Sequence, residues 1–443
     1  MNSFIAIILT SLFFILSGWY LTYLLPLEER LERVGLAFLL GSGLTTWLWF
    51  LGCRLGLPLN IPTLLVSAII LVFTGYVLKE RFGFVRNKTT LAKLSKTEKY
   101  LAITVVTLLI LAFLIGSYNP LTVWDSLALY DFRGHAIAMN HSLKDIVDLP
   151  YYVSYPLMIS LVHSIVYMIA GVSAQGIHAI IFSAFIGILY GRMQHWTNKT
   201  YALITCLLVI TQSEIFTHAT FAYTNLPYLV YLVSGLLYGV LGGKNKSNSQ
   251  YFLIYSGLFI GLSTWIRSSE IFWILGVMLI SWQGVRTKRL FTAVCSIAII
   301  FLIRYSWSSF VISVLLAIDQ PDMPRISRFT VEAFSMIIVN ALSIAKYAYW
   351  NIFLPYIGMW LLTIPMLGVV IVKRNVRVLM LVCAIAMTAC MTIVGIMIFS
   401  TYFRTWNQIG DSARRMILFV SPLTLIASTY SLYLMGKRGN NEV

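Results

Sequence analysis

One short segment of the chain, Trp124-Asp125-Ser126-Leu-Ala-Leu-Tyr130-Asp131-Phe-Arg133-Gly-His135, sets two carboxylates, a guanidinium and an imidazole between long apolar runs. Only 16 of the 443 residues are acidic. Stranding a charge in hydrocarbon costs several kcal/mol, so carboxylates at its edge are solvated, paired or functional. A carboxylate held there can take a proton from a hydroxyl as general base, and Asp125 is the candidate for that work. The competing reading is an N-cap, because Asp-Ser before Leu-Ala-Leu-Tyr offers an acceptor to free amides at a helix start. Asp131 and His135 are four apart, so on a helix they share a face, either as a pair that meets substrate or as a solvated stripe. Asp131 is the second acid, with Arg133 as a further substrate contact. One His beside one Asp is too few ligands for a metal, and the other histidines are scattered along the chain. No metal ligand or cofactor is therefore assigned, and a divalent ion is left open.

Cations form the second group. Arg267, Arg404, Arg414 and Arg415, with Arg304, Arg325 and Arg328 behind them, carry guanidinium forks able to donate two parallel hydrogen bonds to phosphate oxygens. Arg414 and Arg415 precede an apolar helix, where a lipid headgroup lies; anchoring that helix at anionic lipid is the alternative. Arg267 and Glu270, three apart, contact a substrate or neutralise each other. Trp124, Tyr151, Tyr152, Tyr155, Tyr402 and Trp406 suit an interface belt.

The elements that must position these groups are membrane helices. Hydrophobic residues make up 59% of the chain, charged residues 11%, and the mean hydropathy is +0.83. Soluble domains carry about 25% charge and lack repeated apolar stretches of this length. The runs are continuously apolar, unlike the alternation of a membrane β-barrel. Apolar runs near 4–25, 34–52, 61–78, 100–118, 176–194, 200–215, 226–242, 251–266, 270–282, 290–310, 348–372, 376–400 and 416–435 predict an all-α polytopic protein. It has roughly 12–13 transmembrane helices in one integral domain, 1–443. The N-terminus lacks a basic leader and reads as a retained span. The five cysteines form no ligand cluster and read as small core residues.

The net charge of +16 is not laid out as a basic stripe with interleaved aromatics, so nucleic acid is not a predicted partner. Lys79, Arg81, Arg86, Lys88, Lys93, Lys96 and Lys99 crowd one connection, 192–199, 243–250, 283–289, 373–377 and 436–443 are also basic, and 26–33 is grouped with them on the same side. Taking these as cytoplasmic satisfies the positive-inside rule without reversal and gathers most acids outside. The C-terminus is then cytoplasmic, and an odd count puts the N-terminus outside. The outer surface comprises a first large loop, 119–175, and a second, 311–347. The run 156–170 is too short to span comfortably and reads as an interfacial or re-entrant helix of the first loop.

Several motifs in order resemble the polytopic GT-C superfamily of glycosyltransferases. These use lipid-phosphate sugars, as protein mannosyltransferases and aminoarabinose transferases do. The motifs are Asn119-Pro-Leu-Thr-Val-Trp124-Asp125 followed by Tyr155-Pro156; Phe221-Ala-Tyr223-Thr-Asn225-Leu-Pro227; Gly257 through Gly261 to Arg267-Ser-Ser-Glu270; and Ser412-Ala-Arg414-Arg415-Met416 through Pro422. They cover the chain from about residue 100 to 435. The chain departs from the family in having Asp125 followed by Ser126 rather than an acid pair, and Asn225 where an Asp is usual.

The resemblance implies sugar transfer from a polyprenyl-phosphate donor to a hydroxyl on a glycan, lipid or protein acceptor. The site would lie on the outer face of a bacterial inner membrane, with Asp125 as base in inverting chemistry. Substrate contacts would come from Asp131, Arg133, Tyr155, Asn225, Arg267, Glu270, Arg404, Arg414 and Arg415. The alternatives are a lipid-linked glycan flippase, which wants charges midway along helices, and an O-antigen polymerase or ligase, which wants its catalytic loop late in the chain.

Overall fold

The computed structural model describes residues 2–84, 94–147, 155–170, 173–241, 248–267, 271–318, 338–402 and 406–437. Among them there is no strand, and the elements are helices throughout. The chain folds as two compact units, Met1–Ile318 and Asp319–Val443.

The first unit opens with α1 (Asn2–Gly18), a 3-10 turn (Tyr20–Leu24), α2 (Arg30–Arg54), α3 (Ile61–Phe82) and α4 (Lys96–Tyr118). A π-helical turn (Ser126–Asp131) leads into α5 (Phe132–Asn140), α6 (Lys144–Val147) and α7 (Met158–Ala170). Then come α8 (Ile177–Trp196), α9 (Lys199–Thr211), α10 (Ser213–Thr220), α11 (Asn225–Leu241), α12 (Ser249–Thr264), α13 (Trp273–Arg286) and α14 (Leu290–Ile318). Sequence chemistry sets several boundaries. Asn60 accepts from the Thr63 amide and Ser95 from the Glu98 amide, and in both cases the third residue answers with a reciprocal side-chain bond, so both helices start in capping boxes.

Among the described residues, eight helices are long and apolar enough to cross a membrane, nine if α9 and α10, bent by 70°, form one broken span. The protein is therefore an all-α polytopic membrane protein. The roughly thirteen spans expected from hydropathy are corrected by length. The runs at 226–242, 251–266 and 270–282 are helical, but α11, α12 and α13 have only 17, 16 and 14 residues. Where hydropathy stopped at 310, the apolar continuation Phe310-Val-Ile-Ser-Val-Leu-Leu-Ala-Ile318 carries α14 on to 29 residues.

Hydrogen bonds define two ends of the first unit. At one, the Phe84 amide donates to the Tyr23 carbonyl (2.9 Å), Gln194 to Glu29 (2.7 Å) and Thr200 to Glu98 (3.1 Å). Glu32, on α2, accepts from Arg192 and from the Tyr238 hydroxyl (3.0 Å) at the same end. At the other end, the Leu59 amide donates to the His141 carbonyl (2.8 Å), the Ser173 amide to Ser3 (3.0 Å) and Gln175 to the Asn119 carbonyl (3.3 Å). The 25 residues of α2 connect these ends, a separation of roughly 37 Å. The lysine-rich connection after α3 thus leaves from the end opposite the described parts of the first loop, 119–147, 155–170 and 173–176.

The run 156–170 lies inside this far end. Leu157 to Val166 are buried, packed by α5, α1 and α2, so α7 is a core helix of the polar cap rather than one with a free apolar face.

In the second unit α15 (Ala341–Ala348), a π turn (Tyr349–Phe353), α16 (Ile357–Leu361), α17 (Thr363–Lys373), α18 (Val376–Tyr402) and α19 (Trp406–Gly436) follow. The expected single helix over 348–372 is broken around Pro355. α17 packs on α19, where Ser428 donates to the Leu362 carbonyl (2.9 Å).

Candidate functional site

At the far end of the first unit the polar residues form one connected network, built on the π turn. Two consecutive residues of that turn, Tyr130 and Asp131, are both buried, at 1% and 7% exposure. Single π turns within helices recur at functional sites.

One half of the network hangs from Asp131. The Tyr167 hydroxyl donates to its Oδ1, and His163 Nδ1 lies 3.4 Å from the same oxygen. His135 Nε2 is 3.7 Å from Oδ2, and its ring stacks on Tyr167 with centroids 3.7 Å apart and 14° between planes. Behind His163 lies His178, with the two Nε2 atoms 3.2 Å apart. One of those nitrogens must donate and the other accept. His163 thus lies between His178 at its Nε2 and Asp131 on its Nδ1 side. His218 donates from Nδ1 to the Glu214 carbonyl (2.8 Å) and packs on Tyr223 at 5.7 Å. Gly134 allows this close packing, since a Cβ there would meet the His163 Cβ at 2.7 Å. Burial by itself would raise the Asp131 carboxyl; the bond and charge of His163, the Tyr167 hydroxyl and nearby His135 outweigh it and hold the group below its ordinary value.

The other half hangs from Tyr130. Thr224 donates to the Tyr130 hydroxyl (2.9 Å), and Arg267 Nη1 donates to Thr224 (3.1 Å) and to Asn225 Oδ1. The Arg267 guanidinium lies 5.5 Å from the Tyr155 ring, which meets Tyr130 edge-on at 6.1 Å. Arg133 Nη1 donates to the Tyr155 carbonyl (2.7 Å) and Nη2 to the Pro156 carbonyl (3.4 Å), which fixes the entry to α7. Burial brings the Arg133 guanidinium down to about 10, which leaves it charged at neutral pH. Tyr223, Thr224 and Asn225, consecutive in the chain, join the two halves.

The structure therefore brings together Asp131, Arg133, Tyr155, Asn225 and Arg267 of the expected substrate contacts. Arg133 is fully buried, so it supports the site and is not part of a solvated face. Asp125 stands at the head of the π turn, half-exposed, and makes no side-chain cap hydrogen bond, which removes the capping reading. Glu270 and Arg404 lie outside the described residues, as do 319–337 of the second loop and the Arg414 side chain. Arg415 is half-buried on α19 of the second unit.

The expectation of scattered histidines is corrected: four of the six, His135, His163, His178 and His218, belong to this one cap. His163 carried a signal, an ionisable side chain inside the apolar run 156–170. Tyr130, Tyr167 and Thr224 carried none. Among the described residues no group of three His, Cys, Asp or Glu is arranged to hold a metal.

No family model, curated protein or solved structure matches this chain. The class of protein is set by the helices themselves: a multi-pass membrane protein with a buried acid, histidine and arginine network at one end.

Proposed function

We propose that this protein is a membrane glycosyltransferase that moves a sugar from a polyprenyl-phosphate donor to an acceptor hydroxyl, working at the end of the first unit that holds the network. The observation that carries the reading is Arg267, half-exposed and fixed by Thr224, Asn225 and Tyr155, on the same cap as the acid-bearing π turn. A guanidinium so held suits a phosphate oxygen. In the positive-inside assignment this end faces out, away from the cytoplasmic lysines, in the inner membrane of a bacterium.

In the reaction the acceptor O–H bond breaks as its oxygen bonds the anomeric carbon, and the proton goes to the Asp125 carboxylate. The bond from that carbon to the phosphate oxygen breaks, and its electron pair leaves with the phosphate. Arg267 holds the charge that develops there, in a setting where preorganised donors act strongly. Tyr155 and Asn225 keep the guanidinium in place.

The test is incorporation of labelled sugar from a polyprenyl-phosphate donor by the purified protein in proteoliposomes. Asp125→Asn is expected to lower the rate by about 10²–10⁴, the usual worth of a general base. Arg267→Gln is expected to weaken donor use with the fold kept. Full activity in Asp125→Asn would remove the base; movement of the lipid-linked sugar across the bilayer without transfer would favour a flippase.

A further inference from the structure

Of the four imidazoles in the network, His135 has the substantially exposed side chain, at 42%, while His163, His178 and His218 are buried. Its ring is clamped: one face lies on Tyr167, and Nε2 is turned toward Asp131. That leaves Nδ1 as the nitrogen available to a bound molecule. A histidine ordered by a carboxylate at one nitrogen and open at the other is the arrangement by which proteins fix a tautomer and stabilise an imidazolium. Solvated surface histidines have no use for a fully buried second imidazole behind their partner acid, yet His163 and His178 stand there.

We propose that His135 is the general acid of this site, delivering a proton from Nδ1 to the departing phosphate, with Asp131, Tyr167, His163 and His178 as positioning residues. The proposal rests on the glycosyl-transfer reading and completes its proton balance. The donor is a phosphodiester with one negative charge; when the sugar leaves, the lipid phosphate becomes a monoester that would carry two. The second ionisation of such a phosphate falls near pH 6, close to the ordinary range of imidazole, so a proton passes between them with little loss. The acceptor's proton goes to Asp125, His135 gives one to the phosphate, and solvent returns the proton from Asp125 to His135. No other reactant is consumed.

The charges around His135 agree with this role. α5 packs on α7, on the π turn and on α6. From the π turn comes Asp131, and from α7 come Tyr167 and, beyond Asp131, His163. Lys144 follows on α6, and Arg133 on α5 itself is directed to the carbonyls of Tyr155 and Pro156. His163 and Tyr167 help hold Asp131 ionised beside the His135 ring.

Two measurements test the proposal. The first is the pH dependence of transfer in proteoliposomes for the wild type and His135→Gln. The wild type should lose rate on an alkaline limb; the variant should be slower by about 10²-fold and lack that limb. An alkaline limb unchanged in His135→Gln overturns the proposal. The second does not need transfer: nitrogen NMR of histidine-labelled protein, with the His135 signal identified by its loss in His135→Gln. The wild type should show one neutral tautomer, protonated on Nε2, and Asp131→Asn a mixture. The same mixture in both proteins overturns it as well. A wild type that transfers no sugar yet shows the single tautomer sinks the transfer reading, and with it the acid role, while the pairing of His135 with Asp131 stands.

Discussion

Asp131 shows how a single carboxylate can be kept charged inside protein. Its folded pKa is depressed, so its stabilising contribution is complete above its unfolded value of about 4 and is lost as pH falls through the lower folded value. Thermal unfolding in detergent should therefore show the wild type losing stability below about pH 4 by a component that Asp131→Asn lacks. At neutral pH the substitution should cost about 2 kcal/mol, the scale of a charged hydrogen bond, and an unchanged melting temperature would refute that. The candidate acids were legible in the sequence because acids are rare in an apolar chain. Their partners were not, since Tyr130, Tyr167 and Thr224 look like ordinary belt or loop residues until the fold assembles them. Asn225 and Arg267, 42 positions apart in sequence, were singled out from motif order, and in the fold a hydrogen bond joins them.

At the scale of helices, apolar runs gave the positions of nearly every element and misjudged their lengths. Hydropathy does not see caps or breaks: α9 ends where Gln212 caps α10, and the run after 348 is cut around Pro355. The first two helices meet through Gly18 and Gly41, where a Cβ would come within 2.1 Å of the Ala37 carbonyl and 1.8 Å of the Phe14 carbonyl. At the lysine-rich end, Glu32, Arg192 and Tyr238 tie α2, α8 and α11 together with both charges buried. Breaking such a pair from one side strands the other charge. Glu32→Ala is expected to lower stability by about 3–5 kcal/mol, whereas Glu32→Ala with Arg192→Leu should recover much of the loss. Unfolding of the two variants in parallel decides it; equal loss in both would mean the ion pair itself, not the stranded charge, is what matters.

For the whole molecule, the arrangement of charge along the chain matches the two ends of the first unit. The lysine-rich connection and the acid-bearing cap are separated by the length of α2. In a background without the five native cysteines, Lys96→Cys and Lys144→Cys should react with a membrane-impermeant maleimide from opposite faces of sealed vesicles. Labelling of both from the same face would defeat the outward placement of the cap.

One consequence concerns the bilayer itself. Helix α13 has 14 residues, about 21 Å of rise, against roughly 30 Å of hydrocarbon in an average membrane. It stands beside the 29-residue α14, and Met278, Trp282 and Val285 on it are exposed. Acyl chains on that flank must compress or tilt to meet it, at a modest cost per ångström of mismatch. A bilayer matched to α13 alone would be thinned along that flank, and a protein so lined would favour the thinner regions of its membrane.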